Sequence, residues 1–391
     1  MSDSDNDAPL LLDVSRMVWR RWSGTRATGI DRICQAWMEH FGPRAQAVVV
    51  HKYGKAILPM ATSQALFKVL AMPEQPGSDL KSFRAAIVKL ALGRIGHLRD
   101  RLPGQGRVWL NPGHTGLDRS DLGEWCRRRH VRPVYLVHDL IPITHPQFCR
   151  EGEDARHQLR MRTVLDTAHG VIANSAHTLD MLRDFADAER RGMPPAVVAW
   201  PGTPALPAIP ARPDPDPTFV VLGTIEGRKN HALLLDLWQQ MIAAGNRPVP
   251  RLVIVGRRGW QADEVFRRLD SGQFADRVIE AGSLDDEATA RLLASARALL
   301  FPSFAEGYGI PLAEALSCGV PVIASDLPVF REIGQGVPDL VPLDEPHAWQ
   351  AAITDYAKPA SARRSGQLAK IKGFRPPDWD EHFATVKDFI A

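Results

Sequence analysis

The chain has 391 residues, of which 45% are hydrophobic, enough for two domains of medium size with separate cores. No run reaches eighteen consecutive apolar residues, so no membrane-spanning helix is predicted. The acidic, polar start MSDSDNDAP is the opposite of a secretory signal peptide. The cysteines are scattered without the short spacing of a zinc site, so we expect reduced thiols in a cytosolic protein: Cys34, Cys126, Cys149 and Cys318.

The net charge of +3 hides an asymmetry along the chain. Residues 1–200 carry 28 Lys and Arg against 21 Asp and Glu, whereas the remainder carries 20 against 24. Within residues 11–150 the numbers are 22 and 10. This basic region suits an anionic membrane surface or a phosphate-bearing substrate. A solvated basic face explains the charge equally well.

The first half alternates strands with helices. LLLDV at 10–14 and AVVV at 47–50 are predicted to be buried strands, and GIDRICQAWMEHF at 29–41 has the spacing of an amphipathic helix. Residues 60–100 are predicted to be mostly helical. This alternation predicts a parallel sheet covered on both faces. Further strands are predicted at 107–110, 134–139 and 170–175.

Seven prolines in WPGTPALPAIPARPDPDPTF, residues 200–219, predict an interdomain linker. A second alternation follows it. The fold class is therefore α/β, with two Rossmann-like doubly wound domains, 1–203 and 204–375, facing across a cleft. Ligands bind such sheets outside the carboxyl ends of the strands. The strands of the second domain are predicted at 219–224, 251–256, 277–282, 298–303, 321–325 and 339–343.

The segment GTIEGRKNHALLLDLW, residues 223–238, follows a strand that is predicted to end at Gly223. Arg228 and Lys229 lie in the loop, and Asn230 is predicted to cap the next helix. A helix N-terminus beside two cations is a good seat for a pyrophosphate, although a solvated basic turn explains the residues equally well. The segment is neither a Walker A loop nor GxGxxG, which disfavours ATP hydrolysis and hydride transfer.

The segment FAEGYGIPLAEALSCGVPVIASD, residues 304–326, places Glu306 and Glu314 around a Gly-Tyr-Gly turn. The next helix is predicted to begin with Pro311, so that Glu314 lies in its first turn. We expect Glu306 to point into the cleft, beside the N–H groups of residues 307–309, and Glu314 to accept hydrogen bonds from a vicinal diol. When each residue is considered separately, the favoured interpretations are that Glu306 is an exposed loop acid and that Glu314 complements the helix dipole.

Polar residues also end the predicted strands of the first half. His138 could donate a hydrogen bond to a substrate hydroxyl or phosphate, or transfer a proton, although structural histidines are commoner. Asp139 follows it. Asn174 and Ser175 could line the same cleft or cap the next helix.

Two glycine-bearing loops follow strands of the first half. They are LNPGHTGLD at 110–118, which contains His114, and SGTRATGID at 23–31, which contains Gly29. Glycine permits the backbone to approach a ligand closely, and an ordinary turn is the commoner explanation for either loop alone.

Together, GTIEGRKN, FPSFAEGYGIPLAEALSCGVPVIASD and Glu332 closely resemble the C-terminal half of family 4 retaining glycosyltransferases, which have the two-domain GT-B fold. Glu306 and Glu314 match the family's Glu-x7-Glu pair. VHDLIP resembles its N-terminal histidine segment, and ANS its serine-ended strand. DWDEHF resembles its closing helix, which implies that residues 376–391 pack back on the N-terminal domain. The clear match covers residues 219–335.

The resemblance implies roles for these residues. Arg228 and Lys229 would bind the donor diphosphate and neutralise it as it leaves, and Glu306 would contact the donor sugar. Glu314 would bind the ribose, and His138 would contact the donor sugar and line the acceptor side. The implied catalytic residues are Glu306, His138, Lys229 and Arg228. The implied donor-binding residues are Gly29, Gly223, Thr224, Arg228, Lys229, Glu306, Gly307, Tyr308, Gly309, Ile310 and Glu314. The implied acceptor-side residues are His114, His138, Asp139, Asn174 and Ser175.

The resemblance also implies that no cofactor and no metal ion is needed, because side chains and a helix dipole stabilise the diphosphate. Two departures from the family pattern concern the backbone. Gly227 replaces a frequent proline before the RKN element, and WPGTP at 200–204 replaces the usual asparagine-glycine element at the end of the first domain.

We therefore expect a retaining transferase in bacterial surface polysaccharide or lipopolysaccharide biosynthesis. Its donor would be a nucleoside diphosphate hexose, with GDP-mannose suggested by the subgroup that HDLIP resembles and a UDP-sugar as the alternative. Its acceptor would be a growing glycan or a polyprenyl-diphosphate-linked oligosaccharide. The open alternatives are a sugar-nucleotide epimerase or glucan synthase of the same fold, and a non-catalytic nucleotide-sugar-binding protein.

The expected location is the cytoplasm, with peripheral contact to the inner face of the cytoplasmic membrane through the basic half. RMVWRRW at 16–22 could touch a membrane interface, although a core strand with a basic loop is commoner. A nucleic-acid partner is not expected.

Overall fold

The computed structural model describes residues 10–24, 28–51, 54–72, 80–92, 106–204, 206–207, 209–210, 216–245 and 248–391. Parts of three predicted segments lie outside these ranges. They are residues 25–27 of the glycine-bearing loop SGTRATGID, residues 73–79 and 93–100 of the predicted helical region, and residues 205, 208 and 211–215 of the proline-rich segment.

The described N-terminal part is built on a sheet of seven strands. Its strands are β1 (Leu10–Asp13), β2 (Ala45–His51), β3 (Gly54–Ile57), β4 (Val108–Asn111), β5 (Arg132–Val137), β6 (Gly170–Ala173) and β7 (Ala196–Val198). Their order is β3-β2-β1-β4-β5-β6-β7. Only β3 runs antiparallel to its neighbour, and the other pairs are parallel. Such a sheet needs cover on both faces.

The described C-terminal part is built on a sheet of six parallel strands. They are β8 (Thr218–Leu222), β9 (Arg251–Val255), β10 (Val278–Gly282), β11 (Ala298–Phe301), β12 (Val322–Ser325) and β13 (Asp339–Val341). Their order is β10-β9-β8-β11-β12-β13, so β8 and β11 are neighbours at the centre. The loops after β8 and β11 therefore leave the sheet side by side.

Helices cover both faces of each sheet, with separate apolar clusters on the two faces. In the first half they are α1 (Ser15–Trp22), α2 (Gly29–Phe41), α3 (Met60–Ala71), α4 (Leu80–Leu92), α5 (Leu122–Arg129), α6 (Ile141–Thr144), α7 (Glu153–Thr167) and α8 (Ala176–Ala188). In the second half they are α9 (His231–Ala243), α10 (Asp263–Asp270), α11 (Asp286–Ser295), α12 (Ile310–Ser317), α13 (Pro328–Gly334), α14 (Pro346–Ala357), α15 (Ala362–Ile371) and α16 (Trp379–Ile390).

The last helix, α16, packs on the N-terminal sheet domain. Phe383 and Val386 belong to the same buried cluster as Trp37 of α2. Trp37 Nε1 donates to His382 Nε2 at 2.9 Å, so the two helices are joined by a buried hydrogen bond as well as by apolar contact. The predicted fold class, including the returning helix, is confirmed. The domain boundaries after residues 203 and 375 stay predictions.

Three local features differ from the sequence-based expectation. Residues 16–22 are neither a strand nor a loop, because they form most of α1, which buries Ser15 and Val18. The edge strands β3 and β7 were not predicted, since both are short and have no clear alternation of apolar and polar residues.

No helix within the described ranges is long and apolar enough to cross a membrane.

The ends of the neighbouring strands β8 and β9 approach each other closely at Gly256. A Cβ at Gly256 would lie 1.8 Å from the carbonyl oxygen of Gly223, and backbone cannot yield as a flexible side chain can. Gly366, in contrast, lies exposed within α15 with nothing within 4 Å of a Cβ.

We predict that Gly256→Ala lowers the free energy of unfolding by about 3 kcal/mol, because the added methyl overpacks fixed backbone. The matched variant Gly366→Ala should raise it by about 0.5–1 kcal/mol, since alanine favours a helix interior. Denaturant unfolding followed by circular dichroism measures both. Equal stability of the two variants would contradict the close approach at Gly256.

Candidate active site

A buried ion cluster joins the loops after β8 and β11. Lys229 Nζ lies 2.6 Å from Glu306 Oε1, and Arg228 Nη1 lies 2.7 Å from the same oxygen. Ser303 Oγ donates to that oxygen at 2.8 Å. Arg228 also binds Glu226 Oε1 at 2.6 Å. The predicted cations and the predicted acid are therefore in direct contact, held by adjacent strand ends of one sheet.

The charged groups of the cluster act strongly on one another because the cluster is almost fully shielded from water. Burial opposes ionisation of Glu306, but the charges of Arg228 and Lys229 and their hydrogen bonds outweigh burial and lower the pKa of Glu306 to about 2. Burial lowers the pKa of Lys229, and Glu306 opposes that effect. The Lys229 ammonium also lies 4.5 Å from the centre of the Phe301 ring. Glu306 is thus ionised at neutral pH, in contact with Arg228 and Lys229.

The backbone of the loop after β8 makes close contacts at glycine residues. Gly223 has φ 132°, and a Cβ there would lie 3.4 Å from Lys229 Cε. Thr224 packs over Gly259, where a Cβ would come within 2.5 Å of Thr224 Cγ2. Asn230 precedes α9 in a left-handed conformation, with φ 52°, and its side chain does not cap the helix. Asn230 therefore occupies the predicted N-cap position, but without a side-chain hydrogen bond to the helix.

The carbonyl of Gly307 makes one of the contacts that join the two domains. Ser175 Oγ donates to the Gly307 oxygen at 2.8 Å, and Thr178 Oγ1 donates to it at 3.1 Å. A Cβ at Gly307 would lie 2.1 Å from the carbonyl oxygen of His138. Only glycine permits this approach, so the turn after Glu306 sits directly against the end of β5.

His138 is buried at that junction, and its tautomer follows from its neighbours. Its Nε2 lies 2.7 Å from the carbonyl oxygen of Pro112, which can only accept, so Nε2 carries the proton. Burial lowers the pKa of His138 to about 4, which leaves the ring neutral. Its Nδ1 has no hydrogen-bond partner among the described residues. Nδ1 is therefore a free acceptor, and we correct the expectation that His138 donates.

The N-termini of α2 and α12 face each other across the cleft. A Cβ at Gly29 would lie 2.9 Å from Ile310 Cδ1. Helix α12 begins at Ile310, after Gly309 with φ 102°, and not at Pro311. Glu314 is consequently the fifth residue of the helix and lies beyond its first turn.

Glu314 is held from the opposite domain by Arg32. Arg32 Nη1 lies 2.9 Å from Glu314 Oε1, and its Nη2 lies 2.7 Å from Asp286 Oδ1. Burial, with a smaller opposing effect of Arg32, raises the pKa of Glu314 to about 7. A ligand diol that bonds to Glu314 has to share this carboxylate with Arg32 or displace it.

The remaining predicted residues surround the same junction or stabilise it. Asn174 Nδ2 donates to the His138 carbonyl at 2.8 Å, and Ser175 caps α8. Asp139 Oδ1 accepts from Ile141 N at 3.0 Å and is partly exposed. His114 Nε2 lies 2.7 Å from the Leu136 carbonyl. The Tyr308 side chain points away from the cluster, because its hydroxyl donates to the Pro201 carbonyl at 2.8 Å.

Sequence reasoning missed several polar groups of this junction. Arg32 follows Gly29 by one helical turn, so it could have been placed on the cleft-facing start of α2. Glu226 could have been noticed as an acid two positions before Arg228. Thr178 carried no signal beyond its position three residues after a capping serine. No group of three or more His, Cys, Asp or Glu side chains in the described part of the chain is placed to hold a metal ion.

Part of the chain matches a known family. The model described as "Glycosyl transferases group 1" matches residues 216–358. The chain is 29% identical over 245 residues to the serotype-specific mannosyltransferase WbdA of Escherichia coli, which covers 57% of this chain and 29% of that protein. It is 35% identical over 142 residues to a phosphatidyl-myo-inositol mannosyltransferase of Mycobacterium tuberculosis, which covers 35% of this chain and 36% of that protein. The chain thus matches only about a third of these relatives' length.

Solved structures resemble the whole chain. The sucrose-phosphate synthase of Thermosynechococcus elongatus has a TM-score of 0.62 at 19% identity, and 97% of each chain is covered. Anabaena HepE, solved in complex with UDP and glucose, has a TM-score of 0.62 at 16% identity, with 97% of this chain and 98% of that chain covered. At such identities the likeness concerns the fold, and the predicted GT-B fold is confirmed.

The raised pKa of Glu314 predicts a specific pH dependence of stability. Its folded pKa of about 7 exceeds its ordinary value of 4.5, so the protonated form favours the folded state. That stabilisation is complete below pH 4.5 and is lost as the pH rises through 7. Relative to Glu314→Gln, the wild-type protein should lose about 3 kcal/mol between pH 4.5 and 8, as an upper estimate from the size of the shift.

Denaturant unfolding at pH 4.5, 6 and 8 measures this difference between the two proteins. Glu287→Gln, on the exposed face of α11, controls for removal of a surface carboxylate. Parallel pH profiles of the wild type and Glu314→Gln would contradict the raised pKa of the buried Glu314 carboxyl group.

Proposed function

We propose that this protein transfers a hexose from a nucleoside diphosphate sugar to a hydroxyl group of a growing bacterial glycan, because residues 216–358 match the glycosyl transferases group 1 model. The observation that carries the proposal is the contact of Arg228 and Lys229 with Glu306 at the carboxyl ends of β8 and β11. Parallel sheets of this kind bind ligands at that edge. The names of the relatives favour mannose as the sugar and surface polysaccharide as the product.

The two cations would stabilise the diphosphate as it leaves. Both lie in a water-poor site, where a fixed charge acts more strongly on developing charge than it would in water. In the structure their charges are balanced by Glu306 and Glu226. A diphosphate would neutralise part of the positive charge of Arg228 and Lys229, which would leave Glu306 free to accept hydrogen bonds from the donor sugar. We propose that no metal ion or cofactor is required, since Arg228 and Lys229 supply the positive charge.

The acceptor hydroxyl would attack from the face on which the diphosphate leaves, which retains the anomeric configuration. His138 Nδ1 is buried without a hydrogen-bond partner, and the His138 carbonyl oxygen abuts Gly307 in the turn after Glu306. Where a bound ligand reaches this nitrogen, it would accept a hydrogen bond from a hydroxyl group beside the sugar site. The Gly307 contact with Ser175 closes the cleft and would limit hydrolysis of the donor by water.

Glu314 would bind the ribose of the donor. Its partner Arg32 lies on α2 of the other domain, so nucleotide binding and domain contact meet at one carboxylate. GDP is our preferred base, following the mannosyltransferase relatives, and UDP is the alternative. The acceptor would be a glycan, free or linked to a polyprenyl diphosphate, and the protein would work in the cytoplasm or on the inner membrane surface.

We predict that Lys229→Ala and Glu306→Gln each lower kcat for hexose transfer by about 10²–10³-fold, because each removes a charge that acts on the leaving group or the sugar. The assay measures transfer from GDP-mannose and UDP-sugars to mannose-containing oligosaccharides, and NMR of the product reports the anomeric configuration. Conversion of the donor without an acceptor would indicate an epimerase instead.

The control for this experiment has to separate chemistry from stability. Removing one partner of a buried ion pair costs about 3–5 kcal/mol, so melting temperatures are measured for every variant. Lys358→Ala removes an exposed lysine that pairs with Asp355 and should retain full activity. Folded Lys229→Ala and Glu306→Gln variants with near-normal rates would refute the site.

We also predict that GDP raises the melting temperature and that the increase is lost in Lys229→Ala. A ligand at 100 times its Kd stabilises the folded state by about 2.7 kcal/mol. A thermal-shift comparison of GDP, UDP, ADP and dTDP identifies the base. Failure of all four to stabilise the wild-type protein would refute the nucleotide site.

A further inference from the structure

In the described part of the chain, two passages between the sheet domains touch each other. The first follows β7 and includes residues 200–203, which we call the hinge segment, and the second runs from α15 to α16. Thr203 N donates to the Pro377 carbonyl at 2.7 Å. A Cβ at Gly202 would lie 2.5 Å from Trp379 Cγ. Domains rotate about a few such loop residues, so a change in the angle between the domains has to pass through the hinge segment.

Glu332 of α13 joins the hinge segment to the N-terminal domain. Its Oε1 accepts from Trp200 Nε1 at 2.7 Å and from Ala176 N at 2.7 Å, and its Oε2 accepts from His177 N at 3.1 Å. Ala176 and His177 begin α8, where the helix dipole favours a negative charge. One carboxylate of the C-terminal domain therefore binds both the hinge segment and the first turn of α8.

The end of the same short helix holds the second passage. Gln335, which follows α13, donates from Nε2 to the Arg375 carbonyl at 2.8 Å and accepts from Arg375 N at 3.2 Å. Helix α13 is thus hydrogen-bonded to both passages between the domains. A movement of α13 would be transmitted to both of them.

Tyr308 joins the hinge segment to the proposed donor site. Its buried hydroxyl donates to the Pro201 carbonyl at 2.8 Å. The residue before it, Gly307, accepts from Ser175 Oγ, and Glu306 lies in the ion cluster. The turn that would contact the donor sugar therefore ends in a side chain that holds the hinge segment. If the turn moves, either the Tyr308 bond breaks or Pro201 moves with it.

The placement of this hydroxyl is informative because a buried tyrosine can find a partner within its own domain. Tyr356 does so, since its hydroxyl donates to Gln367 Oε1 at 3.3 Å inside the C-terminal domain. Tyr308 instead reaches the residue next to Trp200, which Glu332 holds. Two side chains of the C-terminal domain thus grip consecutive residues of the hinge segment.

We propose that Glu332 and Tyr308 are positioning residues that set the angle between the two domains, so that the turn at the donor site and the hinge segment move together. The proposal rests on the proposed transferase function and adds a control of its donor site. A nucleotide sugar that contacts both domains binds the closed form, so its apparent Kd rises as the closed fraction falls. A nucleoside diphosphate alone would be bound by Arg228, Lys229 and Glu314 of the C-terminal domain and would not need closure.

The test compares the full-length wild type with Tyr308→Phe, which removes only the hydroxyl, and with Glu332→Gln, whose amide cannot accept from all three donors. Small-angle X-ray scattering of the ligand-free proteins measures the radius of gyration. Calorimetric titration with GDP, GDP-mannose, UDP and UDP-glucose measures Kd.

We expect each variant to have a larger radius of gyration than the wild type. The nucleotide sugar that the wild type binds should bind at least about fivefold more weakly, because fewer molecules are closed. The corresponding nucleoside diphosphate should bind at least as tightly as it binds the wild type. This split separates positioning from damage to the C-terminal domain, which would weaken both ligands and lower the melting temperature.

Tyr356→Phe is the matched control, because it removes the hydroxyl of a buried tyrosine that does not contact the hinge segment. It should match the wild type in radius of gyration and in both affinities. Trp200→Phe removes the N–H group that Glu332 accepts, so it tests the same contact if Glu332→Gln fails to fold. Combined with Glu332→Gln, it should weaken the nucleotide sugar by less than the sum of the two single effects.

The contrary results separate the two proposals. Unchanged radii of gyration, unchanged affinity for the nucleotide sugar, or equal weakening of nucleotide and nucleotide sugar in Tyr308→Phe and Glu332→Gln would each overturn the positioning role and leave the donor site standing. Larger radii of gyration in both variants, with no binding of any of the four ligands by the wild type, would support the control of the domain angle and overturn the transferase proposal.

Discussion

The structure depends on the hydrogen bonds that Ser175 and Thr178 donate to the Gly307 carbonyl. These bonds join the end of β6 in one domain to the loop after β11 in the other. They require a residue without a Cβ, since the His138 carbonyl would lie 2.1 Å from one. Because Gly307 follows Glu306 directly, the same contact sets the ion cluster against the wall of the N-terminal domain. The contact between the domains and the geometry of the ion cluster therefore depend on the same residue, Gly307.

The charges at the junction are arranged in compensated groups. Arg228 and Lys229 balance Glu306 and Glu226, and Arg32 joins Glu314 and Asp286 across the cleft. Burying charges is costly unless each is paired, so the closed form without ligand needs these contacts. A nucleotide that enters must replace contacts of similar strength. This exchange favours a ligand with two negative phosphates and a diol over a neutral molecule at the ion cluster.

The sequence predicted those parts of the site that depend on local pattern. Apolar strands followed by short polar loops placed Arg228, Lys229 and Glu306 at one edge, and neighbouring β8 and β11 then bring them together. It did not predict the bond of Arg32 to Glu314, because 282 residues separate them. Nor could it give the tautomer of His138, which the Pro112 carbonyl decides. The register of α12 was misjudged because Gly309, and not Pro311, sets where the helix begins.

The basic N-terminal half illustrates why net charge is a poor guide to a binding site. Residues 11–150 carry 22 basic residues against 10 acidic ones, which suggested a phosphate-bearing partner. Yet arginines of this half contact carboxylates of neighbouring elements, as Arg16 and Arg20 of α1 contact Asp31 of α2. Asp31 balances only one of these two charges, so the positive excess of this half is spread over paired groups and marks no single binding site.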